Sequence, residues 1–219
     1  MTNKHDVRID REKLHPWLNH KLGLLLKECA KQGIYLIITE GFRTVAQQNA
    51  LYAKGRTKPG NIVTNAKGSS YSSQHMWGTA FDIALNYDVD GDGKVTDDTW
   101  NSKGFQKVAE IAKSSKVGLG WGGDWKSFPD TPHFYLKKWG SGTGELKATY
   151  GTPAKFKKTW TKKVKRKKGL LIWKDADKKE SLKRVKNGQK VRVMYIKDWY
   201  ARILLADGTT GYMNKKYLK

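Results

Sequence analysis

The chain has 219 residues, 43 Lys and Arg against 20 Asp and Glu, and a formal net charge of +23. That length suggests one or two domains, and with 38% apolar and 11% aromatic residues the chain can build a core. The charge calls for a polyanion, and it leaves open nucleic acid, an anionic membrane face or a cell-wall polymer.

Other classes drop out on single features. Cys29 is the only cysteine, which excludes an intrachain disulfide and a cysteine-based zinc finger. The longest apolar run, Gly33 to Thr39, is too short to span a bilayer. Residues Met1 to Asp6 lack the apolar centre of a secretory signal, so the expected place of residence is the cytoplasm until something else releases the protein.

Residues Leu14 to Lys31 carry Leu14, Trp17, Leu18, Leu22, Leu25, Leu26 and Cys29 at spacings of three and four, which predicts an amphipathic helix. Gly33 ends it, and Ile34 to Thr39 reads as a buried strand. Thr44 caps a second helix running to Ala53, and Thr99 to Lys113 predicts a third, with Trp100, Phe105, Val108, Ile111 and Ala112 on one side. Ala80 to Leu85 and His133 to Leu136 read as strands. This mixture lacks βαβ regularity and predicts an α+β domain.

Candidate chemistry gathers in two places, Ser73 to Asp82 and Asp130 to Phe134. A hydrolytic zinc ion needs three His, Asp or Glu ligands and one open position. On a strand, Asp82 shares a face with the small Ala80 and Ala84, while Phe81, Ile83 and Leu85 pack behind. His133 likewise faces away from Phe134 and Leu136. His75, Asp82 and His133 are therefore candidate zinc ligands, with Asp130, across a proline turn from His133, as general base. His5, His15 and His20 read as structural or solvated. Trp77, Trp121 and Trp125 suit either a substrate groove or core packing.

With these motifs in hand, residues 1 to about 140 resemble the zinc L-alanyl-D-glutamate endopeptidases of phage endolysins, relatives of the D-Ala-D-Ala carboxypeptidases. The resemblance rests on Glu40-Gly41-Phe42-Arg43-Thr44, Gln48, Leu51 to Thr57, Pro59 to Ala66, the His75–Asp82 segment, Trp121 to Trp125 and His133-Phe134. It implies that His75, Asp82 and His133 hold Zn²⁺ and that Asp130 is the base. It further implies that Arg43 polarises the scissile carbonyl, while Gln48 and Ser73 line the cleft and hydrogen-bond the peptide.

Five aspartates fall within Asp88 to Asp98. Asp88, Asp90 and Asp92 take positions 1, 3 and 5 of an EF-hand-type loop, Gly93 the turn position, and Thr99 stands where a bidentate Glu belongs. A Ca²⁺ loop and a solvated acidic turn before a helix are both open readings.

The charge is not evenly spread: residues 1–154 carry a net +6 and residues 155–219 a net +17. Gly140 to Pro153 is rich in Gly, Ser and Thr, and Lys155 to Lys168 has nine basic residues and no acidic one. Together, residues 140–168 read as a linker. Beyond it, Leu170 to Trp173, Gln189 to Ile196, Tyr200 to Leu205 and Thr210 to Met213 are β-rich runs separated by Asn-Gly and Asp-Gly turns. They predict five short strands in a small all-β barrel over residues 169–219, which resembles bacterial SH3-like cell-wall-binding domains through Gly169 to Trp173, Leu182 to Val193, Trp199 to Ile203 and Gly211 to Leu218.

The expected protein is thus a monomeric endolysin. A zinc peptidase domain (residues 1–139; a small antiparallel sheet with flanking helices) cuts peptidoglycan stem peptides between L-Ala and D-Glu. An SH3-like module then holds peptidoglycan and its anionic wall polymers, with no nucleic acid and no membrane insertion. Family resemblance implies storage in the host cytoplasm until lysis. The rivals are a D-Ala-D-Ala carboxypeptidase or host autolysin, and a non-catalytic polyanion-binding protein.

Overall fold

The computed structural model describes residues 4–219, and it contains two hydrophobic cores, each built on its own sheet. The first sheet has five strands: β1 (Asp6–Val7), β2 (Leu36–Glu40), β3 (Ala80–Leu85), β4 (Gly120–Trp121) and β5 (His133–Tyr135). Their order is β1-β2-β3-β5-β4, antiparallel throughout except for the parallel β1–β2 pair.

Helix α1 (Pro16–Ala30) starts two residues later than the periodicity suggests, because Pro16 fits the first helical turn and His15 caps it, its Nδ1 accepting from the Trp17 amide at 3.2 Å. Leu18, Leu22, Leu25 and Cys29 are fully buried along its inner face. Helix α2 (Val45–Ala53) begins with a reciprocal capping box between Thr44 and Gln47. Helix α3 (Ser102–Lys113) begins at the Asn101 cap, not at Thr99, and buries Phe105, Val108, Ala109 and Ala112. Trp100, expected on the buried side, precedes the helix and is 64% exposed.

The reading of residues 140–168 as a linker is corrected. This stretch folds into helices α4 (Gly144–Tyr150) and α5 (Pro153–Lys158) and strand β6 (Thr161–Lys163). Leu146, Phe156 and Trp160 are buried in the first core. Phe156 stacks on His15 with ring centroids 5.2 Å apart, and Trp139 and Trp160 meet the same imidazole edge-on. Apolar anchors spaced among lysines bury themselves while the ammonium groups stay in water. The boundary between cores therefore falls between Trp160, the last member of the first, and Val164, the first of the second.

The second sheet holds β6, β7 (Leu170–Trp173), β8 (Ser181–Val185), β9 (Lys190–Lys197), β10 (Tyr200–Leu204) and β11 (Thr210–Asn214). All its pairings are antiparallel, in the order β6-β9-β10-β11-β7-β8. It has one more strand than expected, because β6 comes from the basic stretch. The two units touch directly. Arg192 on β9 donates to Glu12 Oε2 at 2.6 Å and to the Leu14 carbonyl at 2.8 Å, and Tyr195 packs on Trp17 at 4.9 Å. No helix among the described residues is long and apolar enough to cross a membrane.

Candidate metal centre

Strand register collapses 51 residues of sequence into a contact. Asp82 on β3 lies opposite His133 on β5, and Glu40 on β2 lies opposite Asp82 on its other side. Phe81 and Phe134 stack at 5.9 Å on the reverse face, so the pleat turns Asp82 and His133 the other way. His75 arrives from a short 3₁₀ turn, Gln74–Trp77, that ends at Gly78 in the left-handed region (φ 64°). A Cβ at Gly78 would stand 2.8 Å from Trp160 and 3.0 Å from the Lys13 carbonyl, so only glycine fits this turn.

One ligand atom each from His75, Asp82 and His133 lie within 4.8 Å of one another. Asp82 Oδ1 is 3.2 Å from His75 Nε2 and 2.9 Å from His133 Nδ1. The outer ring nitrogens are held from behind. His75 Nδ1 pairs with the Gly41 carbonyl at 2.8 Å, and His133 Nε2 with Gln74 Oε1 at 2.9 Å. Both acceptors demand a proton on the outer nitrogen, which leaves the inner lone pairs of both rings free to converge with the carboxylate. Two buried imidazole nitrogens and one partly exposed carboxylate oxygen, all pre-oriented, are a donor set that fits zinc.

Electrostatics agree with this arrangement. Burial disfavours a charge on His75, but the adjacent Asp82 carboxylate outweighs it, so the imidazole pKa is raised. Burial works against the Asp82 charge as well, yet the two imidazoles hold that carboxyl well below the usual range. A positive charge between these groups is thus favoured, and a cation satisfies all three at once.

The group sits in a cleft of about 410 Å³ lined also by Glu40, Arg43, Ser73, Trp125 and Asp130. Gly122 lets the Asp130 turn close over it: a Cβ there would meet the Asp130 carbonyl at 2.5 Å and His133 Cβ at 3.0 Å. Burial and the Asp82 charge hold the Asp130 carboxyl above the ordinary carboxylate range, against the opposing pull of His133, His75 and Arg43.

Arg43 donates from Nη1 to Gln48 Oε1 at 2.8 Å and pairs through Nη2 with Glu40 at 3.3 Å, while its buried Nε has no partner. Ser73 lines the cleft as expected of a contact residue. Gln48 does not. It is fully buried, and its amide nitrogen donates to Thr64 Oγ1 and the Ala66 carbonyl, so it props Arg43 and the 64–66 segment from behind. Of the three tryptophans, Trp77 and Trp121 are core residues, and Trp125 faces the site with its ring 5.1 Å from His133.

Sequence reasoning missed Glu40 and Gln74. Both stood inside quoted motifs, and the signal for Gln74 was its place immediately before the metal-facing histidine.

The acidic loop differs from the expected one. Asp88, Asp90 and Asp98 approach one another, whereas Asp92 stands apart and pairs with Lys94. Asp88 accepts from the Gly91 and Gly93 amides, Asp90 from the Asp92 amide, and buried Asp98 from Val89 and Asn101. The Thr99 hydroxyl donates to the Thr96 carbonyl. Positions 5 and 12 of the expected Ca²⁺ loop are thus turned to other partners, and the Ca²⁺ reading gains no support.

A His-Asp-His group with both imidazoles buried, beside a carboxylate of raised pKa in an open cleft, defines the class: a metallopeptidase centre. Comparison with known proteins agrees. Residues 66–136 match the peptidase M15 family model described as D-alanyl-D-alanine carboxypeptidase. The chain is 42% identical over 130 residues to the peptidoglycan L-alanyl-D-glutamate endopeptidase CwlK of Bacillus subtilis, covering 56% of this chain and 73% of that protein. It is 31% identical over 120 residues to the L-alanyl-D-glutamate peptidase of Listeria phage A118, covering 54% of this chain and 36% of the phage protein. A solved structure, the L-Ala D-Glu endopeptidase ChiX of Serratia marcescens, aligns over 58% of this chain and 83% of that one, with TM-score 0.42 and 23% identity. The chain belongs to the M15 peptidase family.

Proposed function

We propose that the protein is a peptidoglycan hydrolase that cuts the stem peptide at the L-Ala–D-Glu bond and uses zinc. The observation that carries this reading is the convergence of His75, Asp82 and His133 in a cleft with Asp130. The L-alanyl-D-glutamate specificity in the names of CwlK and the phage peptidase supports the choice of bond.

Zinc held by the three side chains would polarise a peptide carbonyl and lower the pKa of water towards neutrality. The chain's own residues do the rest. Asp130, held above the ordinary carboxylate range, takes a proton at its carboxylate during attack and returns one to the leaving amine. Arg43, fixed by Gln48 and Glu40, presents its guanidinium to the negative charge that develops on the carbonyl oxygen. Gln74 and the Gly41 carbonyl hold the two imidazoles in register.

The second unit, which resembles an SH3-like wall-binding module, serves to hold the enzyme on the wall; residues 164–219 hold 17 Lys and Arg against 5 Asp and Glu, and that net +12 suits anionic wall polymers. In this account the protein is stored away from the wall and acts there after release.

A second reading, removal of terminal D-alanine, is favoured by the description of the matching family model. Full-length protein incubated with purified walls separates the two. Clearing that stops with a zinc chelator and returns with added zinc, without free D-alanine, supports the endopeptidase. Free D-alanine as the sole product would replace it with the carboxypeptidase.

A further inference from the structure

Two segments that border the cleft carry apolar side chains that the fold leaves in water. Val63 is 56% exposed and Phe128 75%, and Val63 itself lines the cleft. Phe128 sits at the tip of the turn between Trp125 and Asp130, both cleft residues. Isolated exposed apolar groups are ordinary, but one in the cleft lining and one on the turn that carries Trp125 and Asp130 into it need a cause.

Fraying is not that cause, because both segments are pinned from behind. Arg56 donates to the Tyr52 and Thr64 carbonyls at 2.8 and 3.0 Å and to Asn65 Oδ1 at 3.0 Å, and it lies over the Tyr52 ring. Gln48 ties down Thr64 and Ala66. In the other turn the Trp125 and Asp130 amides both donate to the Gly122 carbonyl, and Trp121 Nε1 donates to Thr131. Two braced turns thus hold apolar tips outward at the mouth of the site.

We propose that Val63 and Phe128 are substrate-contact residues that grip the wall polymer beyond the scissile bond. They would make the enzyme prefer polymeric peptidoglycan, with its methyl-bearing alanine and acetamido groups, to an isolated dipeptide unit. The inference rests on the stem-peptide reading above. Apolar contact made equally in the bound and transition states lowers KM and leaves kcat unchanged.

The test compares zinc-loaded full-length protein with F128S, V63S and the double variant on purified walls and on a short blocked Ala-Glu peptide. As both side chains are exposed, melting temperatures should match the wild type. The expected result is a KM for walls raised about tenfold in the double variant, kcat retained, and short-peptide kinetics unchanged. Unchanged KM on walls would overturn the proposal. So would equal losses on both substrates, which mean a structural role, or a wild-type dimer that the double variant dissociates, which means that the tips cover each other. A wild-type digest lacking new amino-terminal glutamate overturns the stem-peptide reading and this inference with it; such ends with an unchanged KM overturn only the inference.

Discussion

Two regions of this molecule bring three metal donors within 4.8 Å of one another, and they are built in opposite ways. His75, Asp82 and His133 come from a turn and two strands far apart in sequence, and outside acceptors fix their protons so that the inner lone pairs stay free. Asp88, Asp90 and Asp98 come from one loop, and their oxygens accept hydrogen bonds from that loop's own backbone. Proximity of donors is the weaker sign; lone pairs left free by the surrounding hydrogen bonds are the stronger one.

The sharpest way to break this comparison is to remove one member from each group. H133A should lose bound zinc and lower the rate of wall clearing about a thousandfold or more, whereas D90N should keep both within about twofold. Metal analysis of the purified variants checks this. Equal effects would erase the distinction drawn between the two groups.

D130N separates holding the metal from using it. Zinc content should match the wild type while turnover falls about a hundredfold or more, as expected when a general base is lost.

Gln74, which keeps the inner lone pair of His133 free, is a positioning residue. Q74L removes the acceptor that orients His133 and should weaken zinc binding about ten- to a hundredfold. Competition against a chelator reads this directly, and recovery in Q74E would confirm that an acceptor is what matters.

His15 supplies the smallest effect and a contrast within one residue type. Its Nδ1 lone pair is spent on the Trp17 amide, and burial, aided by Lys138 and Arg192, pushes its pKa down to about 3 from 6.5. The unfolded chain therefore takes up a proton that the folded one refuses, and stability falls as pH drops below 6.5, levelling off near 3. The loss reaches about 2 kcal/mol by pH 5. H15N keeps a capping acceptor without the titration, so its stability relative to wild type should improve as pH falls; unfolding curves at pH 7 and pH 5 measure it.

Much of the site was legible because strand alternation is a local rule. The period of two put Asp82 on a different face from Phe81 and Ile83, and the turn residues around His75 and Asp130 marked themselves. What needed the structure was register and long-range burial. Glu40 comes beside Asp82 only because pairing shifts between Ile38 and Glu40. Gln48 reads as a polar cleft residue until the 64–66 segment is seen to cover it. The lysines between residues 155 and 168 outweighed Phe156 and Trp160 in a composition argument, yet those two side chains decide where the chain goes. Asp92 matched an EF-hand spacing, but its neighbour Lys94 competes for the carboxylate.

The central claim is that the His-Asp-His centre cuts between L-Ala and D-Glu. Mass spectrometry of wall fragments released by the zinc-loaded protein, with H133A as control, tests it most directly. New amino-terminal D-glutamate in the wild-type digest and none in the H133A digest is the predicted result; new ends at another bond, or the same ends from H133A, would contradict it.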